Sequence, residues 1–241
     1  MKKAWNKGLT IATSQSVRNI SETMKRKRLD NFKVWRDTMK DLGVIKSTYP
    51  PFEKTHELAE LIGVLLGDGH IEKFPRTERL YIFSNANSQG FIQRYEKILT
   101  ILFKRKISVK NVTGSQCVRL SVYERNISKR IGIPTGSRGK LTIKVPSWIS
   151  RDPSMLRCYI RGLYEAEGSF CIHKKTSTYK FFFSNRNKSL LNIVFMSLKK
   201  FGFHPHRSLY MIQLSRKKEV MRAVDFFRFR KTLFKHICIK I

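Results

Sequence analysis

Acidic residues are scarce in this chain: 17 Asp and Glu stand against 49 Lys and Arg in 241 residues, a net charge of +32. An excess that large excludes the ordinary acidic cytosolic enzyme and points to a polyanionic partner. Cysteine is sparse as well. Cys117, Cys158, Cys171 and Cys238 form no CxxC pair and no metal-ligand spacing, so a thiolate zinc site is excluded and free intracellular thiols are expected. No apolar run reaches the roughly 18 residues that a membrane span requires. The first 20 residues are basic without an acidic group, but they contain neither an h-region nor a cleavage site and read as mature protein.

What is present is a core. A hydrophobic fraction of 41% with 17 Phe is too rich for a disordered basic tail. The positive excess is spread along the whole length. Residues 1–57 hold 13 basic and 6 acidic groups, residues 58–155 hold 17 and 7, and residues 156–241 hold 19 and 4. No block is a detachable tail, so the folded parts themselves must present positive faces. A basic, aromatic-containing, folded chain reads as an intracellular nucleic-acid binder with a long groove.

Residues 1–54 read as a basic extension and linker closed by Pro50-Pro51, with a helix starting near Ser21 and a second short one over 31–42. From residue 55 a pattern occurs twice. An apolar helix over 56–67 ends in Asp68-Gly69, followed by strands at 70–74 and 80–84, a helix at 88–103, strands at 107–113 and 117–123, and a helix at 124–131. The second pass runs from a helix at 154–166 ending in Glu167-Gly168 through strands at 169–174 and 179–184, a helix at 188–202, a hairpin across 205–215 and a helix at 216–230. The halves span 55–135 and 154–241 with a bridge at 136–153. This predicts an α+β fold built from a duplicated α-β-β-α-β-β-α unit.

The two apolar helices share a further feature. Gly63 and Gly67 in the first, and Gly162 and Ala166 in the second, each lie four residues apart and so on one helix face. Two such bare strips can pack backbone to backbone. Asp68 and Glu167 then stand at helix C-termini, where the macrodipole disfavours negative charge by roughly 0.3–1 kcal/mol. If the strips pack in parallel, both carboxylates meet at one end and need cations. A divalent metal supplies them, and a phosphate oxygen can complete its shell.

Leu61-Ile-Gly-Val-Leu-Leu-Gly-Asp68-Gly69 and Ile160-Arg-Gly-Leu-Tyr-Glu-Ala-Glu167-Gly168 resemble the two signature motifs of LAGLIDADG homing endonucleases. The surrounding repeat and the lead-in Val145-Pro146-Ser147-Trp148-Ile149 are similar to the single-chain, two-motif members. The resemblance implies two pseudo-twofold halves whose sheets form a saddle over DNA, in a monomer. It also implies Mg²⁺- (or Mn²⁺-) dependent hydrolysis of both strands of a long specific duplex site. Asp68 and Glu167 would be the metal ligands, joined by the backbone carbonyls of Gly67 and Ala166. At the motif's earlier acidic position the chain departs, with Leu66 in one copy and Glu165 in the other.

Polar strand ends and nearby lysines complete the resemblance. Asn85 and Asn185, each after a serine, are the candidates for organising water and the scissile phosphate. A turn asparagine before a helix is the competing reading. Lys140 and Lys231 are the lysine candidates. DNA contacts are expected from strand residues alternating away from the core: His70, Glu72 and Phe74 in the first half, and Ser169, Cys171, His173 and Lys175 in the second. Lys110, Arg119 and Arg207 are further candidates on later strands. Trp5-Asn6-Lys7-Gly8-Leu9-Thr10 with the basic run after Ser21 resembles the small DNA-binding modules appended to intron-encoded nucleases. The rival reading is a maturase of the same fold that binds intron RNA.

Overall fold

The computed structural model describes residues 5–30, 32–139 and 141–229. Lys140 and Lys231 therefore lie outside the described residues, as does Cys238. The chain divides into two compact units, residues 1–49 and residues 50–241.

The first unit holds helix α1 (Gln15–Arg26) and helix α2 (Lys33–Asp41). α1 begins before the point the sequence predicts. Ser14, not Ser21, is its N-cap, its hydroxyl accepting the Val17 N–H at 3.5 Å. Neither helix buries a residue, so this unit has no hydrophobic core of its own among its described residues.

The second unit starts at Pro50, inside the segment expected to be linker. Arg130 holds that start in place by donating to the Pro50 carbonyl at 2.7 Å and lying 3.8 Å from the Phe52 ring centroid. Helix α3 (His56–Gly67) follows, capped by Thr55. Strands β1 (Gly69–Lys73) and β2 (Glu78–Asn85), helix α4 (Gln89–Phe103), strands β3 (Ser108–Asn111) and β4 (Cys117–Glu124), and helix α5 (Ile127–Ile131) complete one half. A short helix α6 (Ser147–Arg151), where the sequence suggested only a lead-in, precedes helix α7 (Pro153–Glu167). Asp152 caps α7 by accepting from Ser154 at 2.7 Å and Met155 at 3.3 Å, and these bonds, with that from the Ser154 hydroxyl foremost, hold its carboxyl below the usual range. Strands β5 (Gly168–His173) and β6 (Thr178–Ser184), helix α8 (Lys188–Lys200), strands β7 (His206–Arg207) and β8 (Met211–Leu214), and helix α9 (Lys217–Phe227) form the other half.

Each half contains a four-stranded antiparallel sheet, ordered β1-β2-β4-β3 and β5-β6-β8-β7. The two orders are the same, so the expected duplication holds at the level of topology. In each sheet one face is apolar. Ile71, Leu80, Ile82, Leu120 and Val122 are buried in the first, and Phe181, Phe183, Ile212 and Leu214 in the second. These faces meet the helices: Tyr164 of α7 stacks on Phe181 at 4.2 Å between ring centroids. Among the described residues no helix is long and apolar enough to cross a membrane.

Candidate active site and nucleic-acid interface

The bare strips on α3 and α7 do pack against each other. A Cβ added at Gly63 would come within 2.2 Å of the Tyr159 carbonyl oxygen, and one at Gly162 within 2.2 Å of the Glu60 carbonyl oxygen. The helices run in parallel. Near their starts His56 Nε2 lies 2.9 Å from Ser154 Oγ. At their ends a Cβ on Gly67 would meet the Ala166 Cβ at 2.5 Å and the Glu167 Cγ at 2.9 Å. Glu167 thus lies beside the residue that precedes Asp68, and both acids stand at one end of the interface.

The glycines after the acids follow from sterics. A Cβ at Gly69 would fall 2.6 Å from the Leu65 Cα, and one at Gly168 would fall 2.4 Å from the Tyr164 carbonyl oxygen. In each half the chain leaves the helix by folding straight back onto its last turn, and only glycine allows that approach.

Asp68 is exposed and Glu167 is half-buried. Burial pushes the Glu167 carboxyl above its usual range. A third group, which the sequence did not single out, lies at this end. Arg138, in the bridge between the halves, donates through Nη2 to the Leu65 carbonyl at 2.7 Å and also to the Gly69 carbonyl. It clasps the backbone on both sides of Asp68. Its Nε and Nη1 are buried without a hydrogen-bond partner among the described residues, and burial lowers its pKa. No local signal in Gly136-Ser137-Arg138-Gly139 could have marked it, because its role depends on the bridge folding back against α3.

The donor set at this end is all oxygen: two carboxylates, with the Gly67 and Ala166 carbonyls in helix last turns, where carbonyls lack intrahelical partners. Hard oxygen donors suit Mg²⁺ or Mn²⁺. Among the described residues no group of three or more His, Cys, Asp or Glu gathers. The donors therefore fit a metal whose remaining shell is water and substrate phosphate.

The asparagines show where sequence repetition and structural repetition part. Both make the same turn, Asn85 Oδ1 accepting from the Asn87 N–H at 2.9 Å and Asn185 Oδ1 from the Asn187 N–H at 2.8 Å. In the sheets, however, Gly69 pairs with Ile82 while Gly168 pairs with Phe183. Asn85 lies three residues past its half's partner and Asn185 only two. Since faces alternate, Asn85 belongs to the outer face and Asn185 to the helix-facing register.

Ladder register puts His70, Glu72, Arg79, Tyr81, Phe83, Arg119, Ser121, Tyr123 and Lys110 on the outer face of the first sheet. Its centre is aromatic. His70 stacks on Tyr81 at 5.2 Å, and Tyr81 meets Phe83 edge-on at 5.1 Å. The Arg79 guanidinium lies 5.0 Å from the Tyr81 centroid and 5.6 Å from those of Phe74 and Tyr123, and it pairs with Glu72. Arg79, Tyr81, Phe83 and Tyr123 were not among the expected contact residues, although the alternation of β2 and β4 carries them.

In the second sheet, Ser169, Cys171 and His173 share the outer register with Phe182, Lys180, Gln213 and His206. His173 is exposed, but Ser169 and Cys171 are only 8% and 7% exposed, so outward register does not make them accessible. Lys175 is exposed in a 3₁₀ turn over 174–176 rather than on a strand. Arg207 must be moved. It pairs with Ile212, which is in register with buried Phe183, and its guanidinium reaches Asn192 of α8 at 3.3 Å. His206 occupies the outer position in its place.

No protein-family model matches the chain. An alignment of 136 positions, covering 51% of this chain and 14% of the other, gives 25% identity to the tRNA-splicing ligase RtcB of Methanopyrus kandleri. Among solved structures, the full-length DUF199/WhiA protein of Thermatoga maritima superposes with a TM-score of 0.52 at 12% identity, over 76% of this chain and 59% of that one. The N-terminal LAGLIDADG domain of DUF199/WhiA gives 0.49 at 12% identity, over 78% and 90%. The homing endonuclease I-DmoI in complex with DNA and Mn gives 0.49 at 19% identity, over 77% and 100%. At these identities the likeness is one of fold alone.

Proposed function

We propose that this chain, which carries a duplicated LAGLIDADG-type fold, is a metal-dependent endonuclease that cuts both strands of DNA at a long specific site. The observation that carries the reading is the parallel, backbone-to-backbone contact of α3 and α7, which brings Asp68 and Glu167 to one end between two sheets. A catalytic protein has reason to hold two acids at two helix C-termini; a purely structural joint has none.

Asp68 and Glu167, with the Gly67 and Ala166 carbonyls, would hold Mg²⁺ or Mn²⁺. The bound metal would polarise the scissile phosphate and lower the pKa of the attacking water. Arg138 fixes the backbone around Asp68, so that this carboxylate does not shift as DNA binds. Asn85, whose Nδ2 makes no hydrogen bond with another described residue, is free to orient a water on the outer side. Lys140 and Lys231 remain candidates for neutralising charge on the phosphate. The outer faces bind the duplex, with His70, Glu72, Phe74, Lys110 and Arg119 from one half and His173 and Lys175 from the other. Residues 1–49 add a further basic surface for the duplex. Both halves being on one chain, a monomer suffices.

The test is digestion of a random-sequence plasmid library with Mg²⁺, followed by mapping of the ends. Staggered cuts at one long site are expected. Asp68→Asn and Glu167→Gln should each abolish cutting, a loss of about 10³-fold or more, while duplex binding persists. A variant that cuts as the parent does would refute the metal assignment. No cutting by the parent, with tight binding to intron RNA, would favour the maturase instead.

A further inference from the structure

A concavity of about 580 Å³ opens among α3, α4, α7 and α9, and among the described residues none from a strand lines it. It therefore lies on the helical side of the molecule, away from the outer sheet faces. It is also away from the acids: Glu60, on its wall, precedes Asp68 by eight residues, about 12 Å along a helix rising 1.5 Å per residue.

Its walls are densely cationic. Arg94 and Lys97 come from α4, Arg157 and Arg161 from α7, and Arg228 from the end of α9, against the two carboxylates Glu57 and Glu60. Arg94 and Lys97 are three apart and Arg157 and Arg161 four apart, so each pair shares one helix face. Glu60 is 2% exposed and already committed. Arg94 grips it with both Nε and Nη2, and the Arg161 Nε stands 3.6 Å away, too far for a hydrogen bond. That Nε is buried without a hydrogen-bond partner among the described residues. Lys97, Arg157 and Arg228 form no ion pair among the described residues, and Arg157 lies 5.6 Å from the Phe226 ring centroid.

Charges of one sign in a recess repel one another more strongly than on an open surface, because low-dielectric walls focus the field. An anion bearing several acceptor oxygens relieves the repulsion and offers acceptors to the unpaired Lys97, Arg157 and Arg228. Phosphate is that anion, since guanidinium forks match its geometry and a lysine adds a mobile point charge.

We propose that this recess is a second site for phosphate groups, independent of the sheet faces, filled either by the backbone of a single-stranded nucleic acid or by a free nucleoside phosphate. It goes beyond the endonuclease reading and does not rest on it.

The full chain is titrated by fluorescence anisotropy against a labelled 20-nucleotide single-stranded RNA of mixed sequence. Unlabelled random duplex DNA is present in excess to occupy the sheet faces. The parent and Asp68→Asn proteins should bind the RNA alike. Lys97→Ala/Arg157→Ala should bind it at least tenfold more weakly, with the slope of log K against log salt reduced by about 1.4, as expected when two fewer phosphates of a single strand are neutralised. In a second arm, ADP is titrated by calorimetry. ADP binding that is abolished in the double variant assigns the site to a free nucleoside phosphate, whereas RNA binding alone assigns it to a strand. If the double variant unfolds early, Lys97→Gln alone is read in its place, with half the slope change. Equal binding by parent and variant, full displacement of the RNA by duplex, or no binding of either ligand would each overturn the proposal.

Discussion

Gly63 and Gly162 face each other across the α3–α7 joint, and neither has room for a methyl group: a Cβ on either would lie 2.2 Å from a carbonyl oxygen of the opposite helix. In an open helix, Gly→Ala gains up to about 1 kcal/mol. Here the sign reverses. Gly162→Ala should lower stability by about 1–3 kcal/mol through overpacking, read from the urea midpoint at unchanged m-value. A stabilised variant would mean that the helices are not in backbone contact.

The Arg130–Glu124 ion pair is buried, with side chains 8% and 2% exposed. The Arg130 Nε also donates to the Pro50 carbonyl, and its guanidinium stacks on Phe52. Arg130→Ala should therefore cost about 3–5 kcal/mol and loosen residues 50–54, visible as faster amide exchange there. Arg130→Lys keeps the charge but not the fork and should fall between. An alanine variant whose melting temperature matches the parent's would contradict the buried pair.

Burial raises the Glu167 carboxyl, and the sign of the pH dependence follows. With its folded pKa above the unfolded value, Glu167 favours folding below the unfolded value and loses that contribution as pH rises through the folded one. In EDTA, Glu167→Gln should melt higher than the parent at about pH 8, with the gap closing toward about pH 4. A gap that widens on acidification would reverse the assignment. With Mg²⁺ the order in mildly alkaline buffer should invert, because only the carboxylate can bind metal.

Arg138 acts through the backbone it clasps on either side of Asp68. Arg138→Ala should raise the Mg²⁺ concentration for half-maximal cleavage at least tenfold and leave duplex affinity within about twofold. Arg138→Lys, able to reach a carbonyl but not to bridge two, should recover part of the loss. An unchanged Mg²⁺ dependence would make Arg138 merely structural.

Removing residues 1–49 should leave the melting of the remainder within a degree or two, since the helices of that segment bury none of their residues. It should weaken duplex binding and flatten its salt dependence by about one unit of slope for each phosphate the segment neutralises. Equal affinity at several salt concentrations would exclude a DNA-binding role for the segment.

Much of this arrangement was legible in the sequence because local rules and tertiary packing agree there. The apolar helices, the strips of small residues and the acid-glycine steps each carry their own sterics, and they fix the motif helices to within a residue or two. Strand phase could be counted outward from each acid, which put His70, Glu72 and His173 on the correct face. Counting failed where it had too little chain to act on. β7 is two residues long, and its phase is set by β8 rather than by its own pattern, so the sequence alone could not place Arg207 on a face. Asn85 and Asn185 repeat in sequence, but a one-residue difference in how the strands pair puts them on different faces. Arg138 and the basic recess had no local signature, since one depends on the bridge turning back and the other on four helices from both halves converging.

The contact between Gly63 and Gly162 has a metrical consequence. Side chains at an interface act as adjustable shims; rotamers and substitutions can thicken or thin it. This joint contains main-chain atoms on both sides, so the gap between the ends of α3 and α7 behaves as a fixed gauge. Changes to the sheets can retune what is recognised, but the interval between Asp68 and Glu167 stays as the two backbones set it.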